Sequence, residues 1–169
     1  MKTTTHRTIL SGLISLLLIA GSCSSNKDSL TPAQASVVKD SVQKMAESIA
    51  AAVSHEGPMA WIRYFENSPG FFMASEGQLV FPNNAMANDF IKNKLVKIMP
   101  KIELHWSNIR IEPLTRDLAS LAATFHEDIS YADGRKLPSD GYFTAVARQT
   151  SQGWKLHNAH WSTKCEATK

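Results

Sequence analysis

The sequence predicts an α+β domain, a cone-shaped, curved antiparallel sheet wrapped around N-terminal helices. Three observations carry this expectation. Apolar residues recur at helical spacing from Val38 to Val53. The period shortens to that of strands after the breaker Asn67-Ser68-Pro69-Gly70. From Lys101 onward the chain reads as four long strands separated by turn residues. Helices first and a run of strands afterwards place the helices against one face of the sheet.

The elements follow in order. Lys2 and Arg7 precede an apolar run from Ile9 to Ala20, then Gly21, Ser22 and Cys23. A basic start, a short apolar run and small residues before a cut describe an export signal over 1–22; the run is too short to span a bilayer. Ala20-Gly21-Ser22-Cys23 resembles the bacterial lipobox, with Ala20 where a larger aliphatic is usual. That resemblance implies a lipid on Cys23, which becomes the new N-terminus; the alternative is an ordinary signal cut near Ser22 or Ser25. Residues 23–30 are polar and read as a tether, 31–163 as one domain, and 164–169 as a tail.

Thr31, Pro32 and Gln34 form a helix start with a capping box. Val38, Val42, Met45, Ile49 and Val53 make its apolar stripe, and Gly57-Pro58 ends it. A shorter helix is expected from Pro58 to Glu66. Phe71–Ser75 and Gln78–Phe81 flank Glu76-Gly77 as a hairpin. A third helix is expected over Met86–Met99, with Phe90, Ile91, Leu95 and Ile98 inward. The strands are Lys101–Pro113, Leu118–Tyr131, Tyr142–Thr150 and Trp154–Ser162, with Arg135–Asp140 connecting the middle pair.

Removing residues 1–22 takes away Lys2, Arg7 and no acid, so the net charge falls from +3 to about +1. A near-neutral domain lacks the clustered basic face that nucleic-acid binding requires. About 135 residues remain, enough for one core. Cys23 and Cys165 are the only thiols. With Cys23 lipidated, Cys165 is left as a lone thiol in a polar tail with no evident base beside it.

Several segments together resemble one family. Trp61-Ile62-Arg63-Tyr64-Phe65, Asn67-Ser68-Pro69 and Phe71-Phe72-Met73-Ala74-Ser75-Glu76-Gly77 look like the second helix and first hairpin of SnoaL-like domains in the nuclear transport factor 2-like superfamily. Phe143-Thr144-Ala145-Val146-Ala147-Arg148, Gly153-Trp154-Lys155-Leu156 and His160-Trp161-Ser162 resemble that family's last two strands, and Ala132-Asp133-Gly134-Arg135 its turn. The resemblance covers about Val37 to Ser162. It implies an apolar pocket at the wide end of the cone and dimerisation through the sheet. It implies no single activity, because the superfamily holds isomerases, cyclases, hydrolases, binding proteins and assembly hubs.

Candidate chemistry is sparse. Ketosteroid isomerase, a member of the superfamily, sets a carboxylate base where Met73–Ser75 fall here, and Ala74 cannot accept a proton. Glu76 sits at a turn, where solvent keeps its carboxyl ordinary. His126 and Asp128, two apart on one strand, point to the same face and offer a base with its orienting partner; alternatively, Glu127 and Asp128 approach a solvated strand end. With regular alternation His160 shares a face with Trp154, Leu156, Asn158 and Ser162, opposite His157 and Trp161. His160 is then either a pocket histidine or a satisfied rim residue. No HExxH, CxxC or carboxylate cluster supports a metal site, and no phosphate loop, dinucleotide fingerprint or GxSxG is present. No cofactor is implied.

The expected function is an exported, membrane-anchored lipoprotein, facing the periplasm or exterior, that binds a small hydrophobic or amphipathic ligand without catalysis. Ser24, in place of an Asp after the lipidated residue, favours the outer membrane. Candidate ligand-binding residues are Trp61, Tyr64, Phe72, Trp106, Tyr142, Asn158 and His160, which equally suit core packing. The alternatives are a cofactor-independent hydrolase or isomerase using His126, Asp128 or His160, and an assembly module. A homodimer is the expected state.

Overall fold

The computed structural model describes residues 29–164. The export segment 1–22, Cys23, most of the tether and Cys165 lie outside the described residues. Helix α1 (Pro32–Glu56) starts as the sequence predicts. Thr31 Oγ1 accepts from the Gln34 amide at 3.3 Å, and Gln34 returns the bond to the Thr31 amide at 3.0 Å. A cap of this kind stabilises a helix by about 1 kcal/mol. The stripe Val38, Val42, Met45, Ile49 and Val53 is buried. Gly57 ends the helix at φ 79°, and a Cβ there would stand 2.9 Å from the Pro100 carbonyl oxygen. Only glycine satisfies both conditions.

A 3-10 helix follows over Pro58–Arg63, shorter than the predicted helix to Glu66. Past it the chain extends and runs beside Leu156, with Phe65 bridging it in parallel. The Leu156 amide donates to Tyr64 O, and Leu156 O accepts from the Glu66 amide. Strand pairing has won over helix propensity for Tyr64–Glu66.

Strands β1 (Phe72–Ser75) and β2 (Gln78–Phe81) form the expected hairpin. The predicted third helix is a composite of α2 (Asn84–Phe90), a π-helical turn (Ile91–Leu95) and α3 (Val96–Ile98). The π-turn rotates the residues beyond it, so Ile98 is exposed at 49 % rather than inward. Strands β3 (Lys101–Pro113), β4 (Leu118–Ser130), β5 (Lys136–Thr150) and β6 (Gly153–Thr163) complete the sheet. The stretch Arg135–Asp140 is therefore mostly strand: Lys136–Asp140 pair with Ser130–His126.

The sheet order is β2-β1-β6-β5-β4-β3. All pairings are antiparallel except β1 with β6, which is parallel. The register is interrupted at three places, one of them between Met73 and Ala74 where β1 pairs with β2. In β3 the register slips between Ser107 and Arg110, where Asn108 takes φ 51°. In β6 a bulge at His157 sets Val146 opposite Asn158 but Ala147 opposite Leu156. Bulges of this kind add bend and twist. Helix α1 covers the free edge of β3, where Ser54 Oγ accepts from the Leu104 amide at 2.9 Å. Trp106 Nε1 donates to Ala46 O at 2.9 Å from the same strand.

Candidate functional site

The concave face of the sheet, the β1–β2 hairpin and the α2–α3 segment enclose a cavity of about 850 Å³. Trp61 and Phe65 close its inner end; Phe90, Ile91, Leu95 and Met99 form the helical wall. The sheet contributes Ile102, Glu127, Ile129, Phe143, Ala159 and Trp161, and the mouth carries Leu79, Val80, Leu137 and Thr163. The Ala132 amide donates to Ile98 O at 3.0 Å, fastening the β4–β5 turn to the end of α3.

Trp161 is the centre of the aromatic wall. Its ring lies 4.1 Å from Phe125, 5.3 Å from Phe143, 5.7 Å from Trp61 and 5.8 Å from Trp106, centroid to centroid. Such contacts add about 0.5–1.5 kcal/mol each beyond burial and hold the wall rigid. Gly141 makes room for it: a Cβ there would collide with the Phe125 ring and the Ser162 carbonyl oxygen.

One ionisable carboxyl lies within this apolar space. Glu127 alternates with Phe125 and Ile129 on the inner face of β4 and is 7 % exposed. Among the described residues no hydrogen bond or ion pair reaches it. Burial pushes its carboxyl up to about 7, opposed only weakly by the charge of His126. Glu127 does not approach a solvated strand end. Glu76, at the β1–β2 turn, behaves oppositely: Thr163 donates its amide at 2.5 Å and its hydroxyl at 3.0 Å, holding this exposed carboxyl below its usual range.

The sequence-selected residues divide around this cavity. Trp61 lines it. Tyr64 donates its hydroxyl to Ser48 O at 2.9 Å, and Trp106 packs behind Trp161 with its indole N–H spent on α1. Phe72, Asn158 and His160 meet on the outer face of the sheet, around a shallow groove with Ala74, Thr144 and Val146. Tyr142 is exposed on that face. The bulge at His157 explains the placement of His160. It interrupts the alternation, so Leu156 and Trp161 both face inward while Asn158 and His160 face out.

His126 and Asp128 do meet, Nε2 to Oδ2 at 3.6 Å, and His126 Nδ1 lies 2.9 Å from Asp140 Oδ1. The hydrogen bond with Asp140 holds the His126 imidazole above its usual range. This group is exposed on the outer face, away from the cavity. No group of three or more His, Cys, Asp or Glu among the described residues is arranged to hold a metal ion. Glu127 was legible in the sequence: Ala119, Leu121, Ala123, Phe125 and Ile129 share its parity, and an acid on an apolar parity is the signal of a buried group.

No protein-family model matches the chain, and no curated protein matches it. Solved structures do. A nuclear transport factor 2-like superfamily protein from Salmonella enterica serovar Typhimurium aligns at 16 % identity, covering 79 % of this chain and 95 % of that one, with a TM-score of 0.66. A hexachlorocyclohexane dehydrochlorinase of type 2 aligns at 11 % identity over 80 % of this chain and 90 % of that one, TM-score 0.66. A type 3 dehydrochlorinase from Novosphingobium barchaimii aligns at 10 % identity over 80 % and 92 %, TM-score 0.65. The chain has the nuclear transport factor 2-like fold, an α+β domain with a curved six-stranded mixed sheet and an N-terminal helix.

Proposed function

We propose that this protein is an exported, lipid-anchored domain that captures a small, mainly apolar molecule in its cone. The observation that carries capture is the cavity: about 850 Å³, walled mainly by aromatic and aliphatic side chains, with the buried carboxyl of Glu127 among them. Sites for small molecules have this size and composition. Calorimetric titration of the purified protein with 1-decanol tests it. One molecule binds per chain with a negative heat-capacity change, and Ala159→Leu, which fills the cavity wall, removes binding. Absence of binding by the unaltered protein defeats the reading.

The anchor rests on Lys2, Arg7 and Ala20-Gly21-Ser22-Cys23. Metabolic labelling with a fatty-acid analogue tests it: the label is expected on the protein and absent from Cys23→Ser. Dimerisation is proposed through the outer sheet face, where Phe72 and Tyr142 are exposed at 43 % and 42 %. A monomer by light scattering at high concentration removes it.

A second reading, proton-transfer catalysis, is favoured by Glu127 alone. A carboxyl near 7 is poised to give or take a proton at neutral pH. The dehydrochlorinases among the similar structures share this fold. Turnover of a halogenated or enolisable test substrate, lost in Glu127→Gln, supports it; turnover surviving that change defeats it.

A further inference from the structure

We infer that the cavity selects an amphipathic cation, an alkyl- or arylalkyl-ammonium, whose charged head is held by Glu127 among the aromatic walls. This rests on the capture reading above and names its ligand class.

Glu127 lacks a partner. It is 7 % exposed, and among the described residues no hydrogen bond or ion pair is made to its carboxyl, which feels only the more distant charge of His126. Its partners in register, Leu104 on β3 and Ser139 on β5, carry no charge. Its neighbours in β4, His126 and Asp128, point to the outer face and are engaged with each other and Asp140. The helical wall contributes Ile91 and Leu95, and the 3-10 helix contributes Trp61. Among the described residues Tyr131 is the only other titratable side chain lining the cavity, and no Lys, Arg or His lines it. A buried carboxyl without a partner is costly in its charged form, and the missing partner is a cation.

The walls suit the same ligand. Trp61, Phe143 and Trp161 present aromatic rings to the cavity, and a cation over such a face gains about 0.5–2 kcal/mol. Arg135, stacked 4.9 Å over the Tyr131 ring, is neutralised by Asp133 at 2.8 Å. An anionic amphiphile meets repulsion from Glu127, with no Lys, Arg or His among the described lining residues to offset it. A neutral alcohol offers the acid a hydrogen bond but no charge.

Titration of the purified protein with decyltrimethylammonium, 1-decanol and decanoate, at pH 8 and pH 5.5, tests the inference. The quaternary head keeps its charge throughout, so any pH dependence belongs to the protein. Decyltrimethylammonium is expected to bind at least about tenfold tighter than 1-decanol at pH 8. Its affinity should fall about 30-fold at pH 5.5, as Glu127 takes up a proton. Glu127→Gln should lose both the preference for the cation over 1-decanol and its pH dependence. A Gln variant that binds the cation as tightly as the unaltered protein, or a decanoate preference, overturns the cation class and leaves the capture reading standing. If 1-decanol fails to bind as well, the capture reading falls and this inference with it.

Discussion

Glu66 and His157, 91 residues apart in the chain, meet with Oε2 2.6 Å from Nδ1. Their side chains are 11 % and 18 % exposed. Arg148 joins them, Nη1 to Glu66 Oε1 at 3.1 Å and Nη2 to His157 Nε2 at 3.3 Å. His157 therefore donates from Nδ1 to the carboxylate and accepts at Nε2 from the guanidinium. Gly70 packs against the imidazole; a Cβ there would stand 3.1 Å from Cε1. The bulge that turns Trp161 into the cavity is thus held by a polar group outside it.

His157→Ala is expected to cost about 1–3 kcal/mol, since it leaves a half-satisfied buried carboxylate. Urea denaturation measures this. A second readout separates the bulge from simple stability: acrylamide should quench Trp161 more readily in the variant, as β6 recovers regular alternation. Unchanged quenching with unchanged stability would show that the bulge stands without His157.

The division between legible and illegible features follows from how far apart the determining residues lie. Thr31, Pro32 and Gln34 act within one turn of helix, and the Val38–Val53 stripe repeats locally, so α1 is readable from its own segment. The turn at Glu76-Gly77 is likewise local. The bulge at His157 depends on Glu66, and the parallel β1–β6 pairing on contacts between distant segments. Regular alternation through β6 therefore puts His160 inside and Trp161 outside, the reverse of the structure. Glu127 differs from these, because its apolar neighbours at every second position were in plain view.

Glu127 carries the pH dependence. Its carboxyl moves from 4.5 when unfolded to about 7 when folded, so the native state holds the proton more tightly. The resulting stability is fully present below pH 4.5 and is lost as pH rises through about 7. The difference is roughly 3 kcal/mol. Glu127→Gln cannot titrate, and its urea midpoint should lack this fall between those pH values. A variant with the same slope as the unaltered protein would assign the dependence to another group.

Gly141→Ala tests the aromatic wall. The added methyl group meets the Phe125 ring and the Ser162 carbonyl oxygen, and neither moves freely. Phe125 is fully buried and stacks on Trp161, while Ser162 O belongs to β6. Overpacking of this kind costs about 1–3 kcal/mol. A lower melting temperature and a weaker near-ultraviolet aromatic signal are expected together; an unchanged signal would mean that the strands part instead of the rings.

The four tryptophans report where a ligand sits. Trp61 and Trp161 line the cavity, whereas Trp106 lies behind Trp161 and Trp154 is near the β5–β6 turn. A molecule entering the cone changes the surroundings of the first pair directly and reaches Trp106 only through Trp161. Phenylalanine keeps an apolar ring at each position, so paired substitutions preserve most of the packing. The fluorescence change on adding 1-decanol should survive in the Trp106→Phe, Trp154→Phe protein and disappear in the Trp61→Phe, Trp161→Phe protein. Calorimetry on both proteins controls for lost affinity, because binding heat should persist where the optical signal is gone. A signal that follows Trp106 and Trp154 instead would place the ligand outside the cone and remove Glu127 from its path.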